Sequence, residues 1–134
     1  MKTEREYVIE YALSLPLTSV DNPFTDDFDT TVLRHSDTGK WFGIIMNISR
    51  CKVGLEGEGK IDVMNLKCKP EEAFDAREMC EAIIPAYHMN KKHWISLVFN
   101  NSISKELMEA LIDNSYELTR KKSRINKRNN TKSI

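Results

Sequence analysis

The stretch from Ile83 to Phe99, IIPAYHMNKKHWISLVF, gathers two imidazoles, two lysines, an asparagine and an indole around one turn that leads into an apolar run. Lys91 and Lys92 supply positive charge for phosphate oxygens, and Trp94 supplies a flat apolar face on which a base or sugar can stack. With the polar groups of Asn90 and His93 beside them, Asn90, Lys91, Lys92, His93 and Trp94 form a candidate nucleic-acid contact turn. In a strand that starts near Lys92, His93 and Ile95 point one way and Trp94 and Ser96 the other, so the five cannot all face one surface. The structural alternative divides Tyr87, His93, Trp94 and Ile95 between the two sides of a sheet. Trp94 then packs beneath the last helix, and the lysines keep a hairpin soluble.

Other chemistries find little footing. His88 and His93, or either with Cys80, have ligand types that suit zinc, but two histidines five apart across a turn with no third ligand nearby are not a metal spacing. A cysteine nucleophile beside a histidine lacks an orienting third group. The chain has no Gly-rich phosphate loop, nucleophile elbow or paired-acid motif, and Glu56 and Glu58 beside Gly54, Gly57 and Gly59 would repel phosphate. No catalytic residue, metal or cofactor is therefore expected, and the protein is read as a binding protein rather than an enzyme. A small-molecule pocket near His88, Asn90 and Trp94 is a further option.

Charge is distributed unevenly along the chain. The 134 residues hold 20 basic and 20 acidic side chains, a formal net charge of zero. Seven of the basic residues, Arg120, Lys121, Lys122, Arg124, Lys127, Arg128 and Lys132, lie in a final segment with no acid. The other 13 basic residues are set against all 20 acids, so the body carries about seven net negative charges. Arg120, Lys121, Lys122, Arg124, Lys127 and Arg128 are a candidate electrostatic arm for nucleic acid, gaining affinity by counterion release. The alternative is a solubilising extension whose positive charge complements the end of the preceding helix or the acidic body.

Elements that must position these groups are signalled locally. Thr3 and Glu6 form a capping box ahead of Tyr7, Val8, Tyr11, Ala12 and Leu15, predicting a helix from about Glu4 to Ser14 that Pro16 ends. Leu17 to Asp29 reads as an ordered loop with Phe24 plugging the core. Strands follow at Asp29 to Ser36 and Lys40 to Ile48, joined by the Ser36 to Gly39 turn, and at Ile61 to Lys67, antiparallel to the second. Pro70 with Glu71 and Glu72 starts a second helix running to about Glu78. Ile83 to His88 and His93 to Phe99 make a second hairpin around Met89 to Lys92. Ser104 caps a third helix whose apolar stripe is Leu107, Met108, Leu111, Ile112, Ser115 and Leu118. The two hairpins could act as wings straddling a duplex.

The order α-β-β-β-α-β-β-α implies an α+β two-layer sandwich, an antiparallel sheet with helices on one face. At 40% hydrophobic and 30% charged, with no apolar run long enough to span a bilayer, the chain reads as one soluble domain over 1–119 with a disordered basic tail over 120–134. Three cysteines without paired spacing read as reduced packing residues, and the acidic first helix does not read as a signal peptide, so a cytoplasmic protein with no membrane partner is expected.

The Ile83 to Phe99 segment, NLKCKPEEA at Asn65 to Ala73, WFGIIM at Trp41 to Met46, Pro23 with Phe24, and LMEALIDNSYEL at Leu107 to Leu118 together resemble the MmcQ/YjbR family of small bacterial proteins over roughly residues 3 to 119. That resemblance implies the same two-layer fold and a DNA-binding activity. The fold is also similar to that of secretion chaperones, which implies a protein partner or self-association as the alternative.

Overall fold

A computed structural model of the chain describes residues 2–27 and 29–121. Three helices and six strands follow in the order α1 (Glu4–Leu13), β1 (Thr18–Asp21), β2 (Thr31–His35), β3 (Trp41–Ser49), β4 (Lys60–Lys67), α2 (Pro70–Met79), β5 (Ile83–Pro85), β6 (Trp94–Val98) and α3 (Lys105–Thr119), with a short 3-10 turn at Arg50–Val53. The strands form one antiparallel sheet in the order β1-β2-β3-β4-β6-β5.

Each helix begins where the local chemistry asks it to. Thr3 Oγ1 accepts from Glu6 N at 3.1 Å while Glu6 returns a carboxylate oxygen to Thr3 N at 2.9 Å. Pro70 opens α2, and Glu72 accepts from Lys69 N at 2.8 Å. Ser104 Oγ accepts from Leu107 N at 3.1 Å. These bonds satisfy backbone donors that a helix start otherwise leaves unpaired.

The core lies between the sheet and the helices. Leu33, Phe42, Ile45, Met64, Leu66, Ile95 and Leu97 meet Val8, Ala12, Met108 and Ile112, all buried. Leu33 pairs with Gly43, but Arg34 pairs with Trp41, so Phe42 is an extra residue in β3. That bulge turns Phe42 toward α3, where its ring meets Tyr116 edge-on at 5.3 Å. A Cβ on Gly43 would stand 2.9 Å from Leu33 Cδ1, so a larger residue there would force the buried Leu33 side chain to shift. Ser115 ties α3 to two strands, donating to Phe42 O at 2.5 Å and accepting from Lys67 N at 2.9 Å.

Beside it, His35 is buried between Phe42 and Tyr116, with ring centroids at 5.0 and 4.7 Å. The Thr119 hydroxyl donates to Ser115 O at 2.7 Å, so it accepts from His35 Nε2 at 2.8 Å, which places the imidazole proton on Nε2. Burial pushes the His35 pKa below its ordinary value.

Several expectations are corrected. Leu17 to Asp29 is not all loop: Thr18–Asp21 pairs with β2, giving six strands rather than five. This edge strand has no alternation of burial to betray it, and its pairing partner supplies the stability its sequence does not. Phe24 does not plug the core; it is 41% exposed and meets Trp41 edge-on at 6.0 Å. Cys51 is exposed, so only Cys68, fully inside, and Cys80, half-buried, serve as packing residues. Alternation places Trp94 with Ser96 and Asn65 on the sheet face opposite α3, not beneath that helix. The two hairpins belong to one sheet, with β4 between them, and do not project as wings.

Candidate nucleic-acid interface

The turn between β5 and β6 is built largely by its own polar groups. Asn90 Oδ1 accepts from Lys92 N at 2.8 Å and from His93 N at 3.2 Å, the side chain standing in for a backbone turn. Lys91 reaches back to donate to Ala86 O at 2.8 Å. His93 O accepts from Cys68 N at 2.9 Å, which joins the turn to the end of β4. Asn90, Lys91, Lys92 and His93 are all exposed, but the side chains of Asn90 and Lys91 are occupied in shaping the turn, and Trp94 is half-buried.

Under the turn lies a closed polar ring on the open face of the sheet. Tyr87 N donates to Ser96 Oγ at 2.8 Å, Ser96 Oγ donates to Asn65 Oδ1, and Asn65 Nδ2 donates to Tyr87 O at 2.8 Å. Because Tyr87 O can only accept and Tyr87 N can only donate, the direction of each bond and the orientation of the Asn65 amide are determined. Asn65 and Ser96 are fully buried, so this ring fixes where the turn leaves the sheet.

Antiparallel register then decides which distant residues join the turn. Lys67 stands opposite Trp94, Leu66 opposite Gly43, and Arg34 opposite Trp41, so the start of β3, the end of β4 and the start of β6 share one end of the sheet. The His35 to Thr119 bond brings the end of α3 to the same end. Lys40, Lys67, Lys69, Lys92, Arg120 and Lys121 are therefore collected from five segments onto one rim, with His93 among them. Acids at that end include Asp37, Glu71, Glu72 and Glu117; Glu117 pairs with Arg120, and Glu72 is bonded to Lys69 N and Asn114 Nδ2.

Of the residues singled out from the sequence, Asn90, Lys91, Lys92, His93, Trp94, Arg120 and Lys121 lie at this end. Lys122, Arg124, Lys127 and Arg128, and the expected disorder of the tail, fall outside the described residues. Sequence reasoning missed Lys40, Lys67 and Lys69, which only the strand order brings to the turn.

A family model described as YjbR matches residues 13–118. The chain belongs to the YjbR family. Among YjbR relatives, the uncharacterized protein YyaQ of Bacillus subtilis (strain 168) is 40% identical over 116 residues, covering 87% of this chain and 98% of YyaQ. The uncharacterized protein YbdF of Escherichia coli O157:H7 is 34% identical over 107 residues, covering 80% of this chain and 76% of YbdF. A crystal structure of a Pseudomonas syringae protein superposes with a TM-score of 0.82 at 38% identity, covering 88% of this chain and all of that one. These YjbR likenesses bear out the α+β fold. Among the described residues no helix is long and apolar enough to cross a membrane, and no group of three or more His, Cys, Asp or Glu could hold a metal ion.

Proposed function

We propose that this YjbR protein binds nucleic acid through its phosphates, using the basic rim at the Lys67 and Trp94 end of the sheet. The observation that carries this reading is the convergence of Lys40, Lys67, Lys69, Lys92, Arg120 and Lys121 on one end of a domain whose overall charge is negative. Cations clustered on one end of an acidic body orient a polyanion toward that end, because opposite charge attracts and the remaining surface repels. Exposed Lys92 and His93 sit at its centre, and the half-buried Trp94 leaves part of an indole for stacking. Such contacts read the phosphate backbone and carry little sequence preference. Arg120 and Lys121, the first residues of the final basic segment, lie at this same end.

The test is fluorescence anisotropy of a labelled duplex with paired charge removals. Lys67→Ala with Lys92→Ala is expected to weaken binding and flatten its salt dependence. Lys52→Ala with Lys60→Ala, which removes the same charge from the opposite end of the sheet, is expected to leave binding almost unchanged. Equal losses from the two pairs would contradict the rim.

A further inference from the structure

The open face of the sheet holds a groove of about 580 Å³ that the nucleic-acid reading does not use. Its floor is Ile44 and Met46 of β3 with Asn65 of β4, and its walls are the Pro23 to Asp27 segment on one side and Tyr87, His88 and Met89 on the other. The volume lies within the range of small-molecule sites, which are mostly apolar with a few convergent polar groups.

Three observations narrow what would enter. First, the lining includes Asp26 and Asp27 and, among the described residues, no lysine or arginine. Asp27 is engaged by Thr30 and by Asp29 N, while the exposed Asp26 carboxylate has no partner among the described residues. Arg34 does not line the groove; it is paired with Asp21 at 2.8 Å and lies over Trp41. An anion entering the groove would meet the Asp26 carboxylate at the mouth, and a cation would be drawn to it. Second, the walls present the Phe24 and Tyr87 rings, whose faces favour apolar bodies and positive charge. Third, His88 holds φ at +59°, a left-handed conformation that costs a non-glycine residue energy. That conformation, with the ring centroid 4.0 Å from that of Tyr87, shapes the wall.

The geometry points to a second binding site, distinct from the basic rim, that takes a small organic cation: a primary amine carried on an apolar or aromatic body. The body fills the groove over Ile44 and Met46, and the ammonium meets Asp26 at the mouth. A free small amine is the occupant, since the groove is closed at both walls by loops rather than open along a sheet edge.

Phenylbutylamine, phenylbutanol and phenylbutanoate have the same body and differ only in the head group, so titrating each into the nitrogen-labelled full chain and following backbone amides by NMR separates charge from shape. The amine is expected to shift amides of residues 23–27, 44–46 and 87–89, more tightly than the alcohol and with the carboxylate weakest. Asp26→Asn, at an exposed position that leaves the fold intact, should weaken the amine about fivefold while leaving the alcohol unchanged. A carboxylate that binds as well as the amine, shifts confined to residues outside the groove, an unaltered amine affinity in Asp26→Asn, or no shift at millimolar amine would each overturn the proposal. Loss of duplex binding in the Lys67 and Lys92 variants bears on the rim alone and leaves this result untouched.

Discussion

Lys67 stands directly opposite Trp94 across the β4–β6 ladder, so a lysine from the end of one strand shares a face with the indole that opens another. Their pairing joins the two sequence segments NLKCKPEEA and KKHWISLVF into one surface, and the register continues it to Lys40 through β3.

If that surface contacts phosphates, its cations act through counterion release and their effects scale with salt. Removing Lys67 and Lys92 together should lower the slope of log affinity against log salt by about two, or about one for each lysine that neutralises a phosphate. Anisotropy titrations over a range of salt concentrations measure this. A parallel, merely displaced line would mean that neither lysine meets a phosphate.

Asn90 is a turn builder. Replacing it with alanine removes the acceptor of two backbone N–H groups, with an expected loss of about 1 kcal/mol by denaturant unfolding. Duplex binding should also weaken, because Lys92 and His93 lose their fixed positions. Asn90→Asp, which keeps the acceptor, should retain the stability.

Asn65 closes the buried ring with Tyr87 and Ser96. Asn65→Leu leaves the Ser96 hydroxyl and Tyr87 carbonyl without their partner, and an unfolding free energy lower by about 2–3 kcal/mol is expected. A double change with Ser96→Ala should cost less than the sum of the two single changes, which a double-mutant cycle measures.

Burial lowers the pKa of His35 from its ordinary 6.5, so below that value the unfolded chain binds a proton that the folded chain does not. Stability is therefore full above about pH 6.5 and falls as pH drops from there toward the folded-state value. Unfolding curves at a series of pH values should show this loss, and His35→Gln should remove its histidine component while lowering stability at neutral pH.

Much of the architecture is written in local signals. Thr3 with Glu6, Pro70 with its following acids, and Ser104 each announce a helix start, because capping is satisfied within a turn of the chain. What depends on tertiary pairing is not written there. Thr18–Asp21 becomes a strand because β2 offers it an edge, and Phe24 sits at a groove mouth because Trp41 and the open sheet face lie there. The Asn90 to Trp94 turn was legible as a cluster. That the Asn90 and Lys91 side chains, but not those of Lys92 and His93, bond to the turn's backbone was not, since it hinges on which backbone groups lie within reach. Lys40, Lys67 and Lys69 are scattered in sequence, and only the strand order brings them to the turn.

The most direct test of the basic rim is duplex binding by anisotropy, at low and physiological salt, for the full chain and for a chain ending at Lys121. The rim predicts that the shortened chain keeps salt-sensitive binding, weaker than that of the full chain and abolished by removing Lys67 and Lys92. Loss of all binding once the final basic segment is gone would contradict it and confine the interaction to that segment.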